Sequence, residues 1–324
     1  PAPPESWLNR WVSQLRTRRW RSPGSAEVCR LLTMKVSISG VFGVELFFVL
    51  SGFLIGNLLL RIVRTEPSWR SWLVFMIRRW MRTLPLYFVW MGVLLLIWPP
   101  LDHTWSHIAH YATLTQNLLW RMPHDKWFSV SWSLAVEEWF YLLFSAALIG
   151  SVAVTGTRKC VWYVIALFIA APVAARLGLP ATGDWSQTTY ETVGLRLDAI
   201  AYGVVLAKLG DRDASLFRHP WLALGVGLAT LAFVWAQASV QPQPLPLPGP
   251  LFRAVVLTMT STGFALCFPA ALRLIDGRNW LARGIRQISA QSYGLYIMHL
   301  SILELVDYRV HERELSAATA IPRT

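Results

Sequence analysis

Residues 41–63 read VFGVELFFVLSGFLIGNLLLRIV, an apolar run that decides the fold class. Because a helix rises about 1.5 Å per residue, this run can cross a hydrocarbon core of about 30 Å. Similar runs follow along the chain, at residues 84–101, 131–156, 160–178, 193–209, 218–238, 251–275 and 289–310. The sequence therefore predicts an all-α fold, a polytopic integral membrane helix bundle with about eight to nine transmembrane helices.

The composition of the 324 residues agrees with a membrane protein. Hydrophobic residues make up 54% of the chain and charged residues only 15%, against about 25% charged residues in soluble domains. The net charge is +12, but the cations lie in short segments between apolar runs. This distribution favours membrane orientation and argues against nucleic-acid binding. The 3 cysteines are far apart and show no C-x-x-C spacing, so neither a zinc knuckle nor a disulfide framework is indicated.

Four cationic connections orient the bundle. Arginine and lysine are concentrated at residues 61–82, 158–159, 208–218 and 273–286, and by the positive-inside rule these connections face the cytoplasm. The cationic connections all lie on the same side only if the His- and Trp-rich segment 103–122 does not cross the membrane. We therefore predict an interfacial or re-entrant helix there, with a tilted extra crossing as the alternative.

Two adjacent acids, Glu137 and Glu138, lie inside a predicted span. A charge near the bilayer centre costs about 2.5 to 3.5 kcal/mol on insertion scales, so each carboxylate needs a partner, a cavity or a function. Neighbours on a helix point about 100° apart, so we expect only one of them to face a given cavity. One interpretation is a carboxylate that orients a catalytic group or accepts its proton. The other is an ion pair with Arg196.

Three arginines, Arg78, Arg79 and Arg82, precede the predicted span 84–101. Arg79 and Arg82 are i,i+3 neighbours, so their guanidinium groups can share one helix face and clamp a phosphate. Arginines that merely snorkel to the interface would give the same pattern.

Two further polar residues allow two interpretations each. His299 lies about ten residues into its span, where the imidazole could act as a base or could simply pack among its neighbours. Ser51 precedes Gly52, a pairing typical of close helix approach. A nucleophilic serine would need an adjacent base, and none is nearby in the sequence.

A set of histidines could in principle hold a metal. His103, His107 and His110 have spacing that places them on one helical face, and His124 follows. No carboxylate lies within the triplet, so we expect no metal site here.

Several segments together match one family pattern. Residues 42–55 (FGVELFFVLSGFLI) are similar to a "GVdlFFvlSGfli" signature, residues 78–87 to "RRxxRixPlY" and residues 132–141 to "WsLsvEeqFY". Residues 196–198 (RLD) and 292–299 (SYGLYIMH) match the later elements of the same pattern. The chain thus resembles the membrane acyltransferase-3 family, the O-antigen and exopolysaccharide O-acyltransferases.

The resemblance implies an enzyme of the bacterial inner (plasma) membrane. Such an acyltransferase takes an acyl group, usually acetyl, from cytoplasmic acyl-CoA and passes it to a hydroxyl of a surface glycan or similar acceptor. Its partners would be the lipid bilayer, the acyl-CoA co-substrate and the acceptor, with no bound cofactor. We would first test three residues for catalysis, namely Glu138, Glu137 and His299. The resemblance implies contacts between CoA phosphates and Arg79, Arg82 and the neighbouring Arg78. Substrate binding is expected at Ser51, Trp132, Arg196, Asp198 and Tyr293.

One departure concerns the first helix of the family. Its members carry an Arg or Lys and then a His, taken as the catalytic base, upstream of the SGfli element, whereas residues 1–102 contain no His. We interpret residues 1–40 as a basic N-terminal segment, 41–310 as the acyltransferase domain and 311–324 as a polar tail. We expect either an unusual, truncated or rearranged member that uses another base, or an inactive one that binds acyl-CoA or a lipid-linked glycan. Transport of a small solute ranks last, because no inverted repeats are visible.

Overall fold

The computed structural model describes residues 23–98, 105–118, 127–179, 189–210, 215–239, 250–275 and 292–306. Within these ranges the regular elements are helices and no strand is present. They are α1 (Pro23–Thr65), α2 (Trp69–Ile97), α3 (Trp105–Ala112), α4 (Ser131–Thr155), α5 (Cys160–Leu177), α6 (Leu197–Gly210), α7 (Ser215–Arg218), α8 (Pro220–Ser239), α9 (Pro250–Ile275) and α10 (Ser292–Val306), with a 3₁₀ turn at Val193–Leu195. The predicted all-helical class is confirmed.

Six of these helices are long and apolar enough to span a membrane. The candidate spans are Ser39–Thr65, Trp69–Ile97, Ser131–Thr155, Cys160–Leu177, Pro220–Gln237 and Ala254–Leu274, and a shorter apolar helix is Ser292–Val306. The predicted count of eight to nine is therefore approximate. The segment predicted to cross at 193–209 begins with the 3₁₀ turn, which leaves 14 residues of α-helix in α6, or about 21 Å.

The segment before residue 84 differs from the prediction. It is not a loop, because α2 begins at Trp69 and continues through Pro85 to Ile97. Ser68 caps the helix by accepting a hydrogen bond from Ser71 N at 3.2 Å, and no Gly or Pro interrupts residues 69–84. The three arginines at 78, 79 and 82 thus lie inside a helix of 29 residues, about 43 Å long.

Glycines bring α1 and α6 into backbone contact. A Cβ built on Gly52 would lie 1.9 Å from Ile200 O, and one on Gly203 would lie 2.1 Å from Val49 O. Gly56 likewise faces Val204 at 3.0 Å. Residues later in α1 contact residues later in α6, so the two helices run parallel. The expected close helix approach at Gly52 is what the structure shows.

The cationic connections gather at one end of the bundle. Arg158 Nη2 donates to Arg64 O at 3.2 Å, which joins the α4–α5 turn to the α1–α2 turn. Arg273 Nη2 donates to Phe217 O at 2.8 Å, which joins the end of α9 to the connection before α8. Because α6 runs parallel to α1, its last residues lie at this end too. We refer to it as the cationic end.

A short helix and a turn cover the opposite end. In the predicted interfacial segment, α3 has only 8 residues, too few to cross a bilayer. Asn117 then fastens the following turn, since its Nδ2 donates to Trp132 O at 3.0 Å and to Glu191 O at 2.6 Å. Asn117 O also accepts from Val193 N at 3.0 Å. This turn therefore ties the beginning of α4 to the segment before α6.

Candidate active site

The phenol of Tyr141 is the centre of a buried polar cluster between α1, α2 and α4. Its oxygen accepts a hydrogen bond from Arg79 Nη2 at 2.6 Å, and its hydroxyl donates to Glu137 Oε1 at 2.7 Å. Ser51 Oγ contacts the same phenol oxygen. Arg79 Nη2 also lies 4.0 Å from Glu137 Oε2, and its guanidinium carbon lies 4.4 Å from the Tyr141 ring centroid. These four residues are the Tyr141 cluster.

The cluster lies near the middle of the helices. Ser51 is 14 residues before the end of α1 and Tyr141 is 14 residues before the end of α4, so both lie about 21 Å from the cationic end. Arg79 is 10 residues into α2, about 15 Å from that end, and its long side chain covers the remaining distance. Charges at this depth are costly unless they are paired, and here each has a partner.

Glu137 and Glu138 face different surroundings. Glu137 lines a small, partly open cleft, together with Phe47, Ser133, Tyr293 and other residues of α4 and α10. Glu138 points towards α2, where Oε1 accepts a hydrogen bond from Thr83 Oγ1 at 2.8 Å. Of the two acids, Glu137 therefore faces the cleft.

The cleft has aromatic walls and a polar base. Phe47 and Tyr296 stack with their centroids 5.8 Å apart, and Tyr296 OH is 2.6 Å from Ser133 Oγ. Four cleft residues precede Glu137 along the chain, on the side away from the cationic end, namely Val130, Ser131, Ser133 and Leu134. Tyr141 follows Glu137 by one helical turn, on the side towards the cationic end. The Glu137 carboxylate therefore touches both the cleft and the Tyr141 cluster.

The three arginines of α2 do not act as one group. Arg79 is turned inward, with 16% of its side chain exposed, and is bound to the Tyr141 cluster. Arg78 and Arg82, in contrast, are exposed on the surface of α2. A clamp formed by Arg79 and Arg82 on one phosphate would need Arg79 to leave Tyr141.

A second buried cluster includes an acid that the sequence reasoning missed. Arg196 Nη2 forms an ion pair with Glu45 Oε1, and Ser261 Oγ donates to Glu45 Oε2 at 2.7 Å. The guanidinium carbon of Arg196 lies 5.6 Å from the Phe48 ring centroid and 5.1 Å from that of Tyr190. The partner of Arg196 is thus Glu45 and not Glu137 or Glu138, so the ion pair considered for those two acids is wrong. Glu45 lies inside an apolar run, which is the signal that could have found it.

Asp198 is held in a structural ion pair. Arg176 donates from Nη1 to Oδ1 at 3.1 Å and from Nη2 to Oδ2 at 2.6 Å. Thr258 Oγ1 donates to Oδ2 at 3.0 Å, and Arg176 Nη1 also reaches Leu195 O at 2.7 Å. Asp198 and Arg196 therefore join α6 to α5, α9 and α1, and neither residue lines the cleft.

Three other predicted site residues, Trp132, Tyr293 and His299, have different surroundings. Trp132 is buried against Tyr190, with centroids 4.8 Å apart. Tyr293 lines the cleft and donates to Thr83 O at 2.7 Å. His299 is exposed and donates from Nδ1 to Tyr296 O at 2.6 Å, one turn before it on α10. The structure therefore brings Ser51, Arg79, Glu137 and Tyr293 to one region and leaves His299 outside it.

The predicted histidine set is described only in part. His103 and His124 lie outside the described residues, as do residues 1–22 of the N-terminal segment and the tail 311–324. His110 Nδ1 lies 2.9 Å from Thr115 Oγ1. Within the described ranges, no group of three or more His, Cys, Asp or Glu residues is placed to hold a metal ion.

These features define the class of the protein. A bundle of membrane-spanning helices encloses a buried arginine, a phenol and a carboxylate, and the carboxylate opens into a cleft. The protein is thus an integral membrane protein with a buried polar centre.

Comparison with known proteins gives the family. Residues 6–321 match the profile of the family described as "Acyltransferase domain". Because the match covers nearly the whole chain, the protein belongs to this acyltransferase family, and the membership inferred from the sequence motifs is confirmed.

A curated relative points in the same direction. The chain is 25% identical over 293 residues to a protein of Bacillus subtilis (strain 168) named "Putative peptidoglycan O-acetyltransferase YrhL". The aligned region covers 82% of this chain but only 44% of the relative, so the chain spans less than half of that protein. No solved structure matches.

Proposed function

We propose that the protein transfers an acyl group, most simply acetyl, from cytoplasmic acyl-CoA to a hydroxyl of a glycan at the bacterial inner membrane. The observation that carries the proposal is the position of Glu137, which lines the cleft and accepts a hydrogen bond from Tyr141. The Glu137 carboxylate thereby connects the cleft, where the acceptor would bind, with Arg79 in the Tyr141 cluster. Family membership supplies the acyl-transfer chemistry.

The donor would approach from the cationic end. Arg78 and Arg82 are exposed on α2 and offer charge to CoA phosphates. From there the extended pantetheine arm would carry the thioester towards Tyr141. Arg79 Nε has no hydrogen-bond partner among the described residues, so this buried donor is available to the oxyanion that forms at the thioester carbonyl.

The acceptor would approach from the opposite side, with only its reacting hydroxyl entering the cleft, which has room for about one water-sized group. The stacked rings of Phe47 and Tyr296 offer an apolar surface on which the face of a sugar ring can pack. Glu137 at the base of the cleft can accept the proton of an acceptor hydroxyl. Positioned general bases contribute about 10²- to 10⁴-fold to rate. The name of the Bacillus subtilis relative makes peptidoglycan one acceptor worth testing first.

The experiment that tests the proposal measures free CoA released from acetyl-CoA by the full protein in liposomes. We expect release that depends on an added glycan acceptor, with the acetyl group recovered on that acceptor. Release that occurs equally without acceptor, or no release under any condition, would contradict the proposal.

A second candidate function is binding of acyl-CoA without transfer. The observation in its favour is that no His is among the described residues of the Tyr141 cluster or the cleft, whereas the family pattern has one near its first signature. Direct binding of acetyl-CoA without acceptor-dependent release would select this candidate.

A further inference from the structure

We propose that Ser51 is the nucleophile of the reaction, so that the acyl group is first held as an ester on Ser51 Oγ. This inference rests on the proposed function and adds a covalent intermediate to it. A serine nucleophile needs a base next to it. The structure supplies a base through a relay on a helix 90 residues further along the chain, because Tyr141 OH contacts Ser51 Oγ and donates to the Glu137 carboxylate.

The direction of the hydrogen bonds prepares Ser51 for attack. The single hydroxyl hydrogen of Tyr141 is donated to Glu137 Oε1, and Arg79 Nη2 already donates to the phenol oxygen. Ser51 must therefore donate its own hydrogen to that oxygen, which leaves the lone pairs of Oγ free. The Ser51 hydroxyl proton can therefore pass to the Tyr141 phenol as that phenol gives its own proton to the Glu137 carboxylate.

Ser51 lacks the hydrogen bond within its own helix that several other helix serines make. A serine in a helix commonly donates to a carbonyl three or four residues earlier. In α4, Ser133 donates to Val130 O at 3.1 Å, Ser151 to Leu148 O at 3.0 Å and Ser145 to Tyr141 O. Ser51 instead bonds across the bundle to a phenol that is itself held by a cation and an anion.

The two half-reactions balance. In the first, Ser51 Oγ attacks the thioester carbonyl, the C–S bond breaks, and the serine proton moves through Tyr141 to Glu137. The departing CoA thiolate then takes up that proton. In the second, the acceptor hydroxyl gives its proton to Glu137 and attacks the ester carbonyl, and Ser51 leaves and regains its proton through Tyr141. Arg79 next to the phenol oxygen stabilises the negative charge that passes through it.

Ser51 is buried, with 6% of it exposed, so a donor can reach it only if α2 moves aside. Only 22% of the most apolar stretch of α2 is buried within the protein, against 50% for α1. The described part of the bundle therefore covers α2 on one side only, the side that carries Arg79. A donor that binds at Arg78 and Arg82 would lie beside the helix whose inner face closes over the Tyr141 cluster.

The test uses the full protein in liposomes with radiolabelled acetyl-CoA and no acceptor, followed by acid quenching and peptide mapping. We expect up to one acetyl group per chain, located on Ser51 and removed when acceptor is added. Ser51→Ala should abolish the label and reduce acceptor-dependent transfer about 10²-fold or more. Ser51→Cys should give a label that neutral hydroxylamine releases, because a thioester replaces the ester.

The matched control is Ser151→Ala, which removes a hydroxyl that bonds within α4 and should leave both label and transfer unchanged. Normal transfer by Ser51→Ala, or a label that maps to another residue, would overturn the proposal while leaving acyl transfer intact. Absence of both label and transfer in the unmodified protein would instead contradict the proposed function. The mapping of the wild-type label does not depend on whether any variant folds.

Discussion

At the scale of single residues, buried charges in this bundle are paired across helices. Arg176 meets Asp198, Arg196 meets Glu45, and Arg79 meets Tyr141 and Glu137. The first two pairs are more than nine-tenths buried and lie outside the cleft. Removing one member of such a pair leaves an isolated charge in an apolar surrounding, which costs more than the pair itself contributes.

The ion pair of Asp198 provides a stability prediction. Asp198→Asn leaves the Arg176 guanidinium buried without its carboxylate, and we expect a loss of about 3–5 kcal/mol in the free energy of unfolding. Combining Arg176→Met with Asp198→Leu should recover part of that loss. The measurement is unfolding in detergent. The control is Glu66→Gln on the exposed α1–α2 turn, expected to change stability by about 0.5 kcal/mol or less. An Asp198→Asn protein as stable as the control would refute the role of this pair.

The residues of the candidate site could be predicted only in part. The acids at 137 and 138 were found because charges inside apolar runs stand out, and the same argument applied to Glu45 would have found it as well. The partners could not be predicted, because Glu45 and Arg196 are 151 residues apart in the chain. Tyr141 carries no charge and lies in an aromatic stretch, so only the structure reveals it as the centre of the cluster.

At the scale of elements, the closest contact in the bundle is that of α1 with α6. It depends on glycine, because backbone atoms of the partner helix occupy the place of a Cβ at Gly52 and Gly203. Helices in lipid associate through such packing, since the lipid tails are as apolar as the side chains. This contact also holds Ser51, which precedes Gly52, in its position facing Tyr141.

The contact predicts different outcomes for the same substitution at two glycines. Gly203→Ala would place a methyl group 2.1 Å from Val49 O and 2.5 Å from Phe53 N, so we expect a loss of about 1–3 kcal/mol or more. Gly92→Ala on α2 meets nothing within 4 Å and should be neutral or stabilise the protein by up to about 1 kcal/mol, because alanine favours a helix more than glycine does. Thermal unfolding of the two variants in detergent checks the difference. Equal stability would mean that α1 and α6 approach less closely than described.

The bounds of some helices could be predicted from the sequence and those of others could not. The apolar runs predicted α4, α5, α8 and α9 within a few residues, because length and hydropathy determine a membrane helix. They failed at α1, which begins 18 residues before the predicted start, at α2, where arginines lie inside the helix, and at α6, where a 3₁₀ turn shortens it. At α2 and α6, polar side chains such as Arg79 and Asp198 find partners inside the bundle.

At the scale of the whole molecule, the bundle has two unlike ends. The four cationic connections were predicted to face one side, and the described parts of them do meet at one end. The opposite end carries α3 and the turn at Asn117. The Tyr141 cluster lies between the two ends, with the cleft on the side of α3.

This polarity predicts the result of labelling in vesicles. In a protein whose three cysteines are replaced by serine, Thr157→Cys lies at the cationic end and Thr113→Cys lies at the other. By the positive-inside rule, a membrane-impermeant maleimide should label position 157 only from the cytoplasmic side and position 113 only from outside. Labelling of both positions from the same side would contradict the arrangement.

The central claim is that Glu137 accepts the proton of the acceptor hydroxyl in the cleft during acyl transfer from a cytoplasmic donor. The most direct measurement is acceptor-dependent acetyl transfer from acetyl-CoA by the full protein in liposomes, compared between Glu137→Gln and the control Glu66→Gln. We predict that Glu137→Gln lowers the turnover number of the folded protein about 10²-fold or more, while acetyl-CoA binding stays close to that of the control. Unchanged turnover in Glu137→Gln would contradict the claim.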